Sequence, residues 1–174
     1  NDGGSSSGTL LEIARLAAAQ PDLWFVFFDG EECMVNYGPE DGFWGSKFFV
    51  EELKGRDQVK QIKAMILLDM VGDKELEIPR EPLSVKYAPD IVELVWSTAK
   101  ELGVSQFADF EQRAVEDDHL PLNEAGIRTI DLIDFNYPDA SNRYWHTGED
   151  TPDKCSPESL EAVGKVLMAV IYRQ

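Results

Sequence analysis

A run of large apolar residues that ends at two adjacent acids constrains the fold of this chain more than any other feature of its sequence. Residues 24–28 read Trp-Phe-Val-Phe-Phe, and Glu31 and Glu32 follow after a two-residue turn. Continuous apolar runs of this length are typical of a strand buried on both faces, as in a parallel sheet covered by helices. We therefore predict a buried strand over Leu23–Phe28. Because ligands bind at the ends of such strands in open α/β sheets, the two acids mark a candidate site.

The rest of the chain alternates helical and strand-like patterns. Two further apolar runs predict strands, Ile62–Leu68, which ends at Asp69, and Ile127–Ile133. Helices are predicted from Thr9 to Pro21, over Ser46–Leu53, Asp90–Leu102 and Leu120–Ala125, and from Ser156 to the end of the sequence. Loops are expected over residues 1–8, 33–43 and 74–89. This alternation is typical of a three-layer α/β/α sandwich with a mostly parallel mixed sheet, and the length fits one domain, 1–174.

The charge balance limits the partners of the chain. It has 33 acidic against 16 basic residues, a formal net charge of −17, which argues against nucleic acid and anionic membranes because both need a positive protein face. No apolar run reaches the roughly 18 residues of a membrane span. The surplus of acids favours cationic ligands such as metal ions, although solubility alone also accounts for it. The two cysteines, Cys33 and Cys155, do not have the spacing of a metal site.

Two neighbouring glutamates at a strand end indicate a metal site. Their mutual repulsion and their desolvation raise the cost of keeping both ionised, and a cation relieves that cost. The chain has two histidines, His119 and His146, and catalytic zinc takes three His, Asp or Glu ligands with one position left open. The candidate ligands in loops or at predicted strand ends are Asp2, Glu32, Asp69 and His146. Their spacing leaves open whether they converge, and a solvated acidic loop with a surface histidine is the alternative.

Five short motifs resemble, in the same order, those of the M28 zinc metallopeptidases. They are Asn1–Ser5 (NDGGS), Phe28–Glu32 (FDGEE), Leu68–Gly72 (LDMVG), Asp117–His119 (DDH) and Trp145–Thr147 (WHT). The resemblance implies an enzyme in which Asp2, Glu32 and His146 bind one zinc ion and Glu31 is the general base. In the two-zinc aminopeptidases of this family the acid at Asp69 binds the second metal. The second histidine that such a site needs would come from upstream of this chain.

The family contains two chemistries, and three features favour its glutaminyl cyclases over its aminopeptidases. A twelve-residue insert, Cys33–Trp44, places Tyr37 where cyclases carry an aromatic residue that lines the substrate site. The stretch Asp117–Pro121 and the pair Trp145-His146 also resemble the cyclase form. Only a one-zinc ligand set is complete in this chain. One residue departs from the animal pattern, because Asp131 stands where animal cyclases carry a histidine, whereas bacterial cyclase-like members resemble this sequence there.

The resemblance to cyclases implies a role for each remaining candidate residue. Such an enzyme converts the amino-terminal glutamine of a peptide or protein to pyroglutamate and releases ammonia. Asp69, hydrogen-bonded to Asp117, would act with the general base by orienting the amine or the leaving group. The residues expected to contact the substrate are Tyr37, Trp145 and Asp131. An aminopeptidase is the first alternative, and a non-catalytic domain that binds peptides is the second.

The first residues of the sequence raise an expectation about the edge of the sheet. No strand precedes the first predicted helix, and three strands are few for this number of helices. We expect family strands upstream of Asn1 to complete the sheet. Where these strands are absent, another copy of the chain or a separate fragment should cover the open edge, because unpaired strand edges bind other strands. The resemblance favours a location outside the cytoplasm, in the periplasm or secreted.

Overall fold

The structure, a computed structural model, describes residues 1–20, 22–38 and 40–173. Six helices and four strands follow one another along the described chain. The helices are α1 (Gly4–Leu16), α2 (Trp44–Gly55), α3 (Pro82–Tyr87), α4 (Pro89–Glu101), α5 (His119–Glu124) and α6 (Pro157–Tyr172). The strands are β1 (Met65–Asp69), β2 (Ile78–Arg80), β3 (Phe107–Glu111) and β4 (Thr129–Ile133). Short 3-10 turns lie at Val59–Gln61 and Pro152–Lys154.

The strands form two short parallel pairs. In the first, β1 pairs with β4 so that Met65 lies opposite Thr129 and Asp69 lies opposite Ile133. In the second, β2 pairs with β3. Every residue of β4 is buried, as expected for a strand covered on both faces. The predicted strands over Ile62–Leu68 and Ile127–Ile133 therefore exist, with shorter bounds.

Two apolar clusters on opposite faces of the β1–β4 pair make the fold a layered one. The larger cluster joins α1, α4 and α6 to Ile130 and Leu132 of β4. The smaller joins α2 and α5 to Ile127, and it includes Val50 and Leu122. The helices therefore cover both faces of the sheet, and the predicted α/β/α architecture is confirmed.

The last helix shows how local sequence fixes an element. Ser156 precedes α6, and its hydroxyl accepts a hydrogen bond from the main-chain nitrogen of Ser159 at 3.1 Å. Pro157 occupies the first helical position, where its missing N–H is not needed. The apolar stripe that includes Val163 and Leu167 then packs into the larger cluster. The predicted start of this helix is confirmed.

The predicted buried strand over Leu23–Phe28 is wrong. The segment has no strand hydrogen bonds in the described structure, and the side chains of Trp24 and Phe27 are 55% and 50% exposed. Phe25 packs against the larger cluster, whereas Phe28 lies edge-on to Phe49 with ring centroids 5.7 Å apart. An apolar run favours burial of its side chains, but a strand also needs a backbone partner, and in the described structure β1 and β4 pair only with each other.

Two of the predicted loops contain regular structure. Helix α1 begins at Gly4 rather than Thr9, and the hydroxyls of Ser5 and Ser6 donate to the carbonyls of Asn1 and Gly3. Residues 74–89 contain β2 and α3. The three prolines of that stretch suggest a loop, yet two of them occupy first helical positions. The predicted end of α1 at Pro21 lies outside the described residues. No helix in the described parts is both long and apolar enough to cross a bilayer.

Candidate metal centre

A small open cavity lies where β1 and β4 end. Its volume is about 220 Å³, and its charged lining is almost entirely acidic. The carboxylates that line it are Asp2, Glu31, Glu32, Asp69, Glu116 and Asp117. Tyr37, Phe135 and Trp145 form its aromatic walls, with Arg113 and His146 at the same cavity. Every sequence-predicted site residue except Asp131 therefore lines one cavity.

Asp2 is held by contacts with two distant parts of the chain. The main-chain nitrogens of Asn1 and Asp2 donate to the carboxylate of Asp150 at 2.6 and 3.0 Å. The side-chain oxygen of Asn1 accepts from the main-chain nitrogen of Gly72 at 2.8 Å, just after β1. A Cβ at Gly72 would lie 2.7 Å from Cβ of Ser5, so only glycine permits this approach. These contacts order the backbone at Asp2, as a metal ligand requires.

Glu31 and Glu32 are presented by a turn that rests on the start of α2. Gly30 has φ +65°, a left-handed conformation that glycine adopts without strain. The main-chain nitrogens of Phe43 and Trp44 donate to the carbonyls of Glu31 and Gly30 at 2.8 and 2.9 Å. The turn is therefore fixed by two main-chain hydrogen bonds rather than by a sheet.

The loop after Glu32 is organised by two charged side chains. The carboxylate of Asp41 accepts from the main-chain nitrogens of Met34, Val35 and Asn36 at 2.8, 2.8 and 3.1 Å. These hydrogen bonds hold the pKa of Asp41 below its usual value. Lys47 donates to the carbonyls of Gly38 and Gly42 at 3.2 and 2.7 Å. The insert is thus a folded loop. We call residues 22–38 and 40–44, which carry the two glutamates and this loop, the acidic segment.

Tyr37 reaches both glutamates from that loop. Its hydroxyl donates to Oε2 of Glu32 at 2.7 Å and lies 3.3 Å from Oε1 of Glu31. The ring stacks on Phe43 with centroids 5.2 Å apart. Burial of the hydroxyl and its bond to Glu32 raise the pKa of Tyr37, so it stays a donor at all ordinary pH values. This arrangement fixes the orientation of Glu32.

His146 completes a cluster with Asp2 and Glu32. Its Nε2 lies 2.6 Å from Oε1 of Glu32 and 3.5 Å from Oδ2 of Asp2. The imidazole stacks on Trp145 at 4.0 Å, and its backbone has φ +55°, an uncommon value for a residue other than glycine. Strained backbone of this kind clusters at functional sites. The structure therefore brings together the three residues named as zinc ligands.

The donor set of this cluster fits a zinc ion. One ligand atom from each of Asp2, Glu32 and His146 lies within 4.8 Å of the other two, and in the described residues this is the one such group of three. Tetrahedral zinc with bonds of roughly 2.0–2.2 Å holds its ligand atoms about 3.4 Å apart, so small side-chain rotations suffice. All three side chains are reachable from solvent, which leaves room for a fourth ligand.

Burial and mutual repulsion raise the pKa values of the acids that face this cluster. Burial first, and the charge of Glu32 second, raise the pKa of Glu31 to about 8. Burial and the charge of Asp2 raise the pKa of Asp69 to about 7. Burial raises the pKa of Asp117 well above its usual value, with Asp69 and Glu31 adding to the effect. Groups that titrate near neutral pH can both accept and return a proton.

The expected hydrogen bond between Asp69 and Asp117 is not present. Asp117 Oδ1 accepts from the main-chain nitrogen of Asp118, and its Oδ2 has no hydrogen-bond partner in the described chain. Both carboxyls line the cavity, and the charge of Asp69 raises the pKa of Asp117 without a direct hydrogen bond between them.

Asp131, which was expected to contact the substrate, does not reach the cavity. It lies in the middle of β4 with no exposed surface, and its Oδ2 is 3.9 Å from Nδ1 of His119. Nε2 of His119 lies 3.4 Å from Oε2 of Glu81. Burial tends to raise the pKa of Glu81, but the His119 ring and the N–H groups of Leu83 and Ser84 hold it below its usual value. The length of the strand explains the position, because Asp131 is on the same face as the cavity-lining Ile133 but lies about 6.6 Å before it along β4.

Three residues of this region were not predicted from the sequence. Glu81 is fully buried and caps α3 by accepting from the main-chain nitrogens of Leu83 and Ser84. The signal was available, because proline is common at the first position of a helix and Glu81 directly precedes Pro82. Arg113 and Phe135 lie in stretches without a pattern, and nothing in the sequence pointed to them.

Comparisons with known proteins agree on one family and two activities. A sequence profile of peptidase family M28 matches residues 1–171. The glutaminyl-peptide cyclotransferase of Boiga irregularis is 25% identical over 171 residues, which are 88% of this chain and 45% of that protein. The crystal structure of an Acidobacteriales bacterium glutaminyl cyclase has a TM-score of 0.87 and 34% identity, and covers 99% of this chain and 61% of that one. A Zn-dependent exopeptidase from Parabacteroides distasonis has a TM-score of 0.84 and 33% identity, and covers 99% and 63%.

The chain covers only part of the length of these relatives. The chain spans less than half the length of the Boiga irregularis cyclotransferase. It spans about three fifths of the Acidobacteriales bacterium and Parabacteroides distasonis structures.

Proposed function

This chain belongs to peptidase family M28, and from that premise we propose that it is a zinc-dependent glutaminyl-peptide cyclotransferase. It would convert an amino-terminal glutamine to pyroglutamate and release ammonia. The observation that carries the proposal is the position of Glu31. Its carboxyl lines the cavity next to the three proposed zinc ligands, and Tyr37 of the insert lies 3.3 Å from it. The cyclases of Boiga irregularis and of an Acidobacteriales bacterium support the same proposal.

We assign the zinc to Asp2, Glu32 and His146, and we propose one ion. Bound there, zinc would supply Lewis-acid polarisation of the γ-carboxamide oxygen of the substrate. The one-ion proposal is supported by the single three-residue group of metal-type ligands in the described chain. Asp69 lies at the cavity but outside this group, which leaves it free to contact the substrate.

Glu31 carries the proton in this proposal. It takes a proton from the α-amine as the amine nitrogen bonds to the γ-carboxamide carbon. It returns that proton to the amide nitrogen as the old carbon–nitrogen bond breaks, so pyroglutamate and ammonia form and the protein is unchanged. A pKa raised to about 8 by burial and by Glu32 suits a group that must do both.

The neighbouring residues hold the substrate for that transfer. Asp69 and Asp117 line the cavity beside Glu31 and would orient the amine and the leaving group. Trp145 stacks on His146 and presents a flat apolar wall to the short glutamine side chain. A cavity of about 220 Å³ suits one small side chain and leaves the rest of a peptide outside.

An aminopeptidase is the second candidate, and one comparison favours it. The Parabacteroides distasonis protein is a Zn-dependent exopeptidase of nearly the same fold. In that case Glu31 would activate a water molecule, and the same cavity would bind the first residue of any peptide.

Product analysis separates the two candidates. The zinc-loaded protein is incubated with a glutamine-led peptide and, separately, with a leucine-led chromogenic substrate. The cyclase proposal expects ammonia and a peptide that has lost one ammonia, with no shortened peptide. Release of free glutamine or of the leucine chromophore would favour the aminopeptidase. No turnover of either substrate by a protein that retains zinc would overturn both.

A further inference from the structure

We propose that Arg113 selects substrates that carry an acidic side chain shortly after the amino-terminal residue. This inference rests on the proposed function, because it takes the first residue of the substrate to lie at Glu31 and the zinc ligands. It adds the chemistry of the positions that follow. A peptide with glutamate at its second or third position would bind Arg113, whereas one with lysine there would be repelled.

The charges that line the cavity support this preference. Apart from His146, Arg113 is the one basic side chain in the described lining of a cavity with six carboxylates. A cavity of that composition repels acidic peptides unless a cation offsets it locally. Arg113 also has no carboxylate within ion-pair distance in the described chain, and its guanidinium contacts an aromatic ring instead. Its guanidinium is therefore available to a ligand.

Arg113 also lies close enough to the proposed metal ligands to reach the same substrate. The guanidinium carbon of Arg113 lies 4.3 Å from the ring centroid of Phe135. Phe135 contacts Trp145 at 5.1 Å, and Trp145 stacks on His146 at 4.0 Å. These three steps form a continuous ladder from Arg113 to the proposed metal. Its length corresponds to at most about four residues of extended peptide, so Arg113 is within reach of the second or third residue of a substrate.

The backbone on both sides of Arg113 is held by hydrogen bonds. The main-chain nitrogen of Gln112 donates to the carbonyl of Arg80 at 3.3 Å, and that of Val115 donates to Oε1 of Glu81 at 3.3 Å. The backbone is thus tied on both sides of Arg113. The ring of Phe135 contacts the guanidinium while the Arg113 side chain stays exposed, so the guanidinium can form two hydrogen bonds to a carboxylate.

The experiment compares amidated peptides that differ only in one side-chain charge. Gln-Glu-Ala, Gln-Ala-Glu, Gln-Ala-Ala and Gln-Lys-Ala amides are assayed for ammonia release by the zinc-loaded protein. We expect kcat/KM for the better glutamate peptide to exceed that for the lysine peptide by about fivefold, the scale of an exposed ion pair. The difference should lie in KM and should shrink in 0.5 M NaCl, because the contact is remote from the reacting atoms and is screened by salt.

Two variants test whether Arg113 is the cause. In Arg113→Gln the six carboxylates of the described lining are no longer offset by a guanidinium, so the preference should invert toward lysine. Arg143→Gln is the matched control, because Arg143 also lies over an aromatic ring, that of Tyr144 at 4.9 Å, but does not line the cavity. This control should keep the order of the unaltered protein. An unaltered protein that prefers lysine, or an Arg113→Gln variant that keeps the preference for glutamate, would overturn the inference.

Binding of the product peptides separates this inference from the proposed function. If no peptide is turned over, the function fails, and calorimetry with pyroglutamyl-Glu-Ala and pyroglutamyl-Lys-Ala amides tests Arg113 directly. Tighter binding of the glutamate peptide, lost in Arg113→Gln, supports the inference. Equal affinities in the unaltered protein contradict it.

Discussion

The β1–β4 pair and the acidic segment are built in opposite ways. Every residue of β4 is buried and paired with β1 in register, and helices cover both faces. The acidic segment contains no strand in the described structure, only an isolated bridge between Gly38 and Asp41. It exposes Trp24 and Phe27, yet it carries Glu31, Glu32 and Tyr37. Stability and chemistry are therefore largely separated in this molecule. The paired strands hold the fold and contribute Asp69 at the end of β1, whereas a few specific hydrogen bonds hold the other reactive groups.

The largest effect should come from a conservative change in the acidic segment. Glu31→Gln keeps the size and polarity of the side chain but removes its ability to carry a proton. General acid–base catalysis contributes roughly 10²–10⁴-fold, so kcat should fall by at least about 100-fold while zinc content stays unchanged. Ammonia release from a glutamine-led peptide measures the rate. Glu40→Gln, an exposed change in the same segment, is the control. A loss below about tenfold would remove Glu31 from the mechanism.

The opposite pattern is expected for stability. Leu132 is fully buried in β4, so Leu132→Ala should lower the free energy of unfolding by about 2–5 kcal/mol. Phe27→Ala in the acidic segment removes a larger side chain, but one that is 50% exposed, and should cost less than about 1 kcal/mol. Urea unfolding of both variants makes the measurement. Equal losses would mean that the acidic segment is part of the cooperative core.

The two histidines provide a smaller test of the same contrast. His119 is fully buried between the carboxyls of Glu81 and Asp131. His119→Asn should therefore lower the free energy of unfolding by roughly 3 kcal/mol, because it leaves a void and removes the imidazole that faces two buried carboxyls. His146→Asn in metal-free protein should change it by less than about 1 kcal/mol, since the imidazole is 38% exposed and asparagine tolerates its left-handed backbone. A reversed order would place the structural role at the cavity instead.

The pH dependence of stability gives the smallest expected effect. Burial raises the pKa of Asp134 to about 6, and an unfolded aspartate titrates near 3.9. The folded state therefore binds more protons between about pH 4 and 6, and its stability falls as the pH rises through that window. Asp134→Asn should flatten this fall by on the order of 1 kcal/mol. Denaturant midpoints of both proteins across that range make the comparison, and parallel curves would contradict it.

The same contrast explains what the sequence could and could not predict. Helix α6 and strand β4 follow from local pattern, because a capping serine, a first-turn proline and an apolar stripe act within a few residues. The failure at Leu23–Phe28 has a non-local cause, since an apolar run does not report whether another strand pairs with it. The missed cap at Glu81 was readable from the proline that follows it.

The site shows the same limit. The types of Asp2, Glu32 and His146 suit zinc, but their separation along the chain does not say that they meet, and only the order of family motifs implied it. Arg113 contributes through its place on an aromatic ladder that joins two loops. No local signal encodes such a position. The open sheet edge stays a prediction, and light scattering of the purified chain tests whether a second copy covers it.

Zinc stoichiometry is the most direct measurement of the proposed metal centre. We predict that the unaltered protein retains one zinc ion per chain after exhaustive dialysis, as measured by mass spectrometry of the metal. His146→Ala should lose the ion and the activity together, while its circular dichroism shows that the fold is kept. A folded His146→Ala protein that still holds one zinc ion per chain would contradict the assignment of Asp2, Glu32 and His146 as the metal centre.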